Sequence, residues 1–326
     1  MTKYAVILGN LGNTNDRFLS SGYKDQPSKE TMIQRAAQIE GVSGIELVGS
    51  WDITSENADQ MGSELKKNGL TCVSIIPDLF SQKQWGNGSL AAKDPSIRSK
   101  AIDAIREAAE IARKVECPML NIWPGQDGYD YSLQADFRSE RRWFTEGIRK
   151  VAQEYPDIRF ALEYKPKEPR THSYLARAAD TLLVAEDTGL ENVGVCIDVG
   201  HALFAYENVA ESIVILQERG GKLFHMHFND NYRYWDDDMI VGSVHLVEYI
   251  EMLFWLRETG YDGWYSMDQY PYREDGAGAI NASVQFLRSL EKMMDDATMK
   301  EIRGLIQRGD AIEASHWLRK KILPQP

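Results

Sequence analysis

Cysteine is scarce in this chain: Cys72, Cys117 and Cys196 are the only three in 326 residues. Each lies inside an apolar run, so they read as reduced core thiols. A disulfide-stapled secreted scaffold is excluded, and a cytoplasmic location is expected. Long apolar runs are missing as well. None approaches the roughly 20 residues that a bilayer-crossing helix needs. The opening Met1-Thr2-Lys3-Tyr4-Ala5 lacks the apolar stretch and small-residue cleavage site of a signal peptide. No membrane partner is expected. Positive charge is in deficit, with 37 Lys and Arg against 49 Asp and Glu and a net charge of −12. Such a surface repels phosphates, which argues against nucleic acid as a main partner. Linkers, low-complexity runs and short-period repeats are also absent.

What is present is a strict alternation. Strands are predicted at Tyr4–Leu8, Gly44–Val48, Thr71–Ile76, Met119–Trp123, Arg159–Glu163, Gly194–Asp198, Lys222–Phe228 and Gly263–Asp268. Several are almost wholly apolar, as strands buried on both faces must be. Helical segments lie between them: Lys29–Ile39, Ser55–Lys67, Asp94–Val115, Arg138–Glu154, Tyr174–Thr188, Val209–Arg219, Ser243–Thr259 and Gly278–Met294. The clearest, Asp94–Val115, opens on Asp94-Pro95-Ser96, an N-cap followed by proline at the first helical position. Eight strand–helix pairs imply a parallel sheet with right-handed crossovers, and closure gives an α/β fold, the (β/α)₈ TIM barrel. An open doubly wound sheet competes, but it would gather its chemistry at one switch point. The barrel is expected over residues 1–295, followed by a C-terminal helical tail over 296–326. Apolar positions Ile302, Leu305, Ile306, Ile312 and Leu318 in the tail suggest packing on the barrel or on a second subunit.

Four successive strands end in potential ligands: Glu163, Asp198, His227 and Asp268. Taken singly, a strand-end acid is an ordinary helix cap or loop carboxylate. Taken together, four at the exits of consecutive barrel strands ring one mouth and can converge on a point. Three carboxylates and an imidazole suit Mn²⁺, Mg²⁺ or Co²⁺ better than a thiolate-rich zinc site does. His201, three residues after Asp198, should face the same mouth, with Gly200 relaxing the turn between them. Asp236 and Asp238 are two apart and point the same way in an extended loop. With His201 they make a second, more open candidate site, giving one or two ions per chain. Like charges at ~4 Å cost roughly 4 kcal/mol at an effective dielectric of about 20, so crowded carboxylates need cations, protons or distance. His225 points to the same side of its strand as His227 and reads as a supporting or core residue. Trp51, Trp85 and Trp235 could shape a pocket but read first as packing.

The stretch Glu163-Tyr164-Lys165-Pro166-Lys167-Glu168-Pro169 resembles that of the xylose isomerase-like barrel superfamily, which includes sugar isomerases, sugar 3-epimerases and repair endonucleases. So do Asp198-Val199-Gly200-His201, the loop Tyr234-Trp235-Asp236-Asp237-Asp238, Asp268 and Trp123-Pro124-Gly125. The resemblance spans most of the barrel and is strongest from 117 to 275. It implies metal ligation by Glu163, Asp198, His227 and Asp268, and by His201, Asp236 and Asp238 at a second metal. It implies a catalytic role for Lys165, Glu163 and Asp268, with Lys165 hydrogen-bonding the substrate carbonyl. It also implies that Trp123 is an apolar wall of the sugar pocket and that His201 lies against substrate.

The last ligand is Asp268, where 3-epimerases of the family usually carry glutamate. Six histidines are few for the trinuclear cluster of the endonucleases. The histidine that xylose isomerases carry after strand three is replaced by Ile75-Ile76-Pro77-Asp78, with Asp78 as a possible substitute. The expectation is a divalent-metal-dependent aldose–ketose isomerase acting by hydride shift on a small monosaccharide. The alternative is a ketose 3-epimerase with one metal and carboxylate proton exchange. A non-catalytic sugar-binding barrel and a metal-dependent lyase on the same fold are further options. A homo-oligomer, dimer or tetramer, is expected from the family.

Overall fold

The computed structural model describes residues 2–15 and 18–323. Its eight parallel strands are β1 (Lys3–Ile7), β2 (Val42–Val48), β3 (Thr71–Ile76), β4 (Met119–Ile122), β5 (Arg159–Glu163), β6 (Val193–Asp198), β7 (Leu223–Phe228) and β8 (Trp264–Met267). They close in the order β1-β8-β7-β6-β5-β4-β3-β2, the TIM barrel expected from the alternation. Helices α1 (Lys29–Gln38), α2 (Ala58–Lys67), α3 (Pro95–Lys114), α4 (Phe137–Glu154) and α5 (Ala178–Asp187) follow strands β1 to β5. Then come α6 (Val199–Phe204), α7 (Val209–Glu218), α8 (Leu246–Glu258), α9 (Gly276–Met293), α10 (Asp296–Arg308) and α11 (Ala311–Ile322). No described helix is long and apolar enough to cross a membrane.

Local chemistry accounts for the helix starts. The Asp94 carboxylate accepts from Ser96 N at 2.8 Å, with Pro95 supplying a first residue that has no N–H to satisfy. The short helix α6, absent from the sequence expectation, starts because Asp198 caps it, accepting from His201 N at 2.8 Å. Gly200 therefore does not relax a turn. It lies inside α6, where a Cβ would collide with Asn229 Oδ1. A small antiparallel ribbon, Gly128–Tyr129 with His172–Ser173, was also not expected; it ties together the loops after β4 and β5.

The barrel interior is layered. Ala5, Val73, Met119, Ala161, Cys196 and Phe224 form an apolar plug at the end of the barrel away from the strand exits, with Trp264 against it. Gly44 fits there because a Cβ would come within 2.6 Å of Trp264 and 2.9 Å of Ala5. At the exit end, register brings the site together. Glu163 pairs with Cys196, Asp198 with His227, and His227 with Ser266.

The tail helices lie against α8. Met299 is buried, and Ile302 and Leu318 pack partly on the core, whereas Ile306 and Ile312 are 49% and 70% exposed. Helix α11 buries no residue completely.

Candidate active site

Glu163, Asp198, His227 and Asp268 each place one donor atom within 4.8 Å of the other three. His227 Nδ1 lies 3.4 Å from Asp268 Oδ2, 3.6 Å from Glu163 Oε2 and 3.9 Å from Asp198 Oδ2. This nitrogen is buried and makes no hydrogen bond. Asp198 and His227 are wholly buried and Glu163 nearly so, leaving Asp268 on the cavity side. A buried, unsatisfied imidazole nitrogen facing three carboxylates is a donor set that fits a hard divalent cation. Cys196 lies within the same reach of Glu163 and His227. Burial pushes its thiol well up, with the Glu163 and Glu46 carboxylates adding and His227 opposing, so it stays a neutral packing group.

A second cluster joins Asp198, His201 and Asp236. His201 Nδ1 is 3.2 Å from Glu163 Oε1, and its Nε2 is 3.2 Å from Asp236 Oδ2. Lys165 Nζ reaches the same Asp236 oxygen at 2.7 Å and Glu168 Oε2 at 3.1 Å. Asp238 lines the same cavity but sits apart from the cluster. Its backbone turns at φ 48°, and its Oδ1 accepts from Asn229 Nδ2 at 3.1 Å.

The electrostatics reflect crowding. Burial pushes Asp198 up to about 7, and Asp236, Asp268 and Glu163 push the same way while His201 opposes. Burial also works against charge on Glu163, but His227 and His201 outweigh it and hold this carboxyl well below the usual range. His201 is driven well up by Asp198 and Asp236 in spite of its burial. The cluster thus draws protons onto its imidazoles, the role a bound cation would take over.

Sequence reasoning missed Glu46. This fully buried acid on β2 crosses the barrel to the histidine pair. Its Oε1 is 2.8 Å from His225 Nε2, its Oε2 is 3.4 Å from His227 Nε2, and Ser74 and Ser266 donate to it. Burial opposes its charge, but the two imidazoles prevail and hold it well below the usual carboxylate range. By engaging His227 Nε2, Glu46 turns Nδ1 toward the carboxylates. The available signal was one acid inside an otherwise apolar strand. His225 lies behind His227, as its spacing suggested. Asn121 donates to Glu163 Oε2 at 2.6 Å, and Asn229 to Asp198 Oδ2 at 2.9 Å; both steady the acids.

Trp123 lines the cavity, its ring 4.6 Å from Phe80 and 5.6 Å from Lys165 Nζ. Trp51 and Trp235 line it too, whereas Trp85 is core. Asp78 is taken up by its own turn, accepting from Ser50 Oγ at 2.8 Å and Ser81 Oγ at 2.6 Å.

The sequence profile described as "Xylose isomerase-like TIM barrel" matches residues 33–290. The xylose isomerase of Thermus thermophilus is 25% identical over 265 residues, which cover 76% of this chain and 68% of that protein. Among solved structures, a D-tagatose 3-epimerase-like protein superposes with a TM-score of 0.69 at 21% identity, covering 90% of this chain and 100% of that one. D-Psicose 3-epimerase from Clostridium cellulolyticum H10 superposes with a TM-score of 0.69 at 17% identity, covering 89% and 99%. With this match along most of its length and the closed barrel beneath it, the chain belongs to the xylose isomerase-like TIM barrel family.

Proposed function

We infer that this chain is a sugar isomerase or epimerase, and within that class a divalent-metal-dependent aldose–ketose isomerase. The observation that carries the reading is the buried His227 Nδ1, which makes no hydrogen bond and faces Glu163, Asp198 and Asp268. Those four residues would hold one Mn²⁺ or Mg²⁺, and His201 and Asp236, with Asp198 between and Asp238 nearby, a second. A cation so held would polarise the sugar oxygens and lower the pKa of a hydroxyl.

The chain's own groups supply the rest. Lys165, at the cavity wall, donates from Nζ to the oxygen that gains charge at C1. Trp123 closes one side of the reacting C1–C2 unit against water. The hydrogen on C2 then moves with its electron pair to C1, and no protein base of matched pKa is needed. The exposed apolar positions Ile306 and Ile312 on the tail support the expected oligomer.

A second reading is a ketose 3-epimerase. It is favoured by Glu163 and Asp268 meeting in one cluster, where two carboxylates could exchange a proton with the sugar carbon. One experiment separates the readings: a panel of sugars deuterated at the reacting carbon, with Mn²⁺ or Mg²⁺ added. Aldose-to-ketose conversion with the label retained at C1 supports the hydride shift. Inversion at C3 with the label lost to solvent supports the epimerase. No turnover of any sugar overturns both.

A further inference from the structure

The cavity above the acids has a volume of about 770 Å³. That lies in the upper part of the ~300–1,000 Å³ range of pockets that enclose drug-sized ligands, well beyond what one sugar ring fills. It is also lopsided. Opposite the charged residues, β1, β2 and β3 end in Ile7, Val48 and Ile76, an apolar cluster packed with Phe80. This wall can take the C–H face of a sugar but not its hydroxyls.

Two aromatic groups continue outward. Trp51 meets Phe80 edge-on at 5.6 Å, and Phe18 lies 5.6 Å from Trp235. Trp51 and Trp235 are each 36% exposed and Phe18 is 58% exposed, so ring surface remains for a ligand. Two polar groups beside them are engaged: Trp51 Nε1 donates to Ser81 Oγ at 3.2 Å, and Gln126 Nε2 to Phe80 O at 3.1 Å. Among the described residues, Lys165 is the only Lys or Arg lining the cavity, and its ammonium is held by Asp236 and Glu168. Among the described side chains of the cavity, then, none offers a phosphate group an ammonium or guanidinium that is not already paired.

We propose that the substrate is an unphosphorylated sugar of two rings, a reducing disaccharide. Its free-aldehyde unit reaches Glu163 and Asp268. Its second ring, joined through an oxygen remote from C1, lays a C–H face on Trp51 and Phe18. The hydride shift stays within the first unit and the glycosidic bond is untouched. This rests on the isomerase reading and extends it.

The test compares matched sets with Mn²⁺: a free aldose, its terminal phosphate ester and its 4-O-glycosyl derivative, assayed for kcat/KM and for equilibrium binding. The wild type is set beside Trp51→Ala and Phe18→Ala. The disaccharide should be preferred by about tenfold or more, and the phosphate ester rejected. Either substitution should remove the preference, lowering kcat/KM on the disaccharide about tenfold more than on the free sugar. A preference for the free sugar or the phosphate ester overturns the proposal, as does an equal loss on both substrates in the variants. If no aldose is converted, the isomerase reading falls. Binding of the disaccharide weakened by Trp51→Ala would still support the second-ring site, and absence of such binding would overturn it.

Discussion

The two halves of the barrel mouth share one backbone plan and carry opposite chemistry. On one side β1, β2 and β3 end in Ile7, Val48 and Ile76. On the other, β5 to β8 end in or lead into Glu163, Asp198, His227 and Asp268. Between them on β4, Asn121 turns its amide to Glu163. One inward residue per strand therefore sets the chemistry, since strand geometry and register are common to both halves. The charged half buries carboxylates that also repel one another, and burial, with that repulsion added, pushes Asp198 up to about 7. The apolar half excludes water, so every charge opposite acts through a weaker screen.

The largest effect should come from removing a charge on the acidic side. Asp268→Asn should lower kcat/KM by ~10³-fold or more and weaken Mn²⁺ binding in a calorimetric titration. Normal turnover would refute its assignment as a ligand. Lys165→Met should keep Mn²⁺ affinity but slow turnover by ~10²–10³-fold, as loss of an oxyanion donor does. Little change in rate would remove that role.

Glu46→Gln probes the tie between the halves. It should leave the circular dichroism spectrum intact and weaken Mn²⁺ binding by about 10–100-fold. Unchanged affinity would mean that His227 needs no help from β2.

Asp52, just beyond β2, supplies the smallest effect and a contrast. It accepts from Val48 N at 2.8 Å, yet burial pushes it up to about 6. Its protonated form is thus favoured in the fold, so its contribution is neutral below about pH 4. The protein loses stability as pH rises from there to about 6, and the loss is complete above that. Asp52→Asn should abolish this slope, gaining about 2 kcal/mol over the wild type at pH 8 relative to pH 4 in urea melts. Parallel stability curves for the two proteins would contradict the shift.

The barrel was legible because buried parallel strands must be apolar and amphipathic helices must alternate with them. Glu163, Asp198, His227 and Asp268 were legible because strand ends in a closed barrel share one rim. Glu46 was not, since its importance lies in partners 179 and 181 residues away, on β7. Nor was Gly200, whose reason is crowding by Asn229. The Asp236 partners of His201 and Lys165 depend on how one loop folds back, and a two-residue spacing could not separate Asp236 from Asp238. Strand ends also drifted: Trp123 and Asp268 lie one residue past their strands, because pairing stops where the chain turns into the loops.

The buried contact from Glu46 to the histidines has a consequence for how such a barrel diversifies. The side chains of Ile7, Val48 and Ile76 make no hydrogen bond to the acidic side, so a change there leaves the four-residue cluster its own partners. Glu46 is the exception. It shares a strand with Val48 and a hydrogen bond with His227, so a shift of β2 is felt on both sides of the mouth at once.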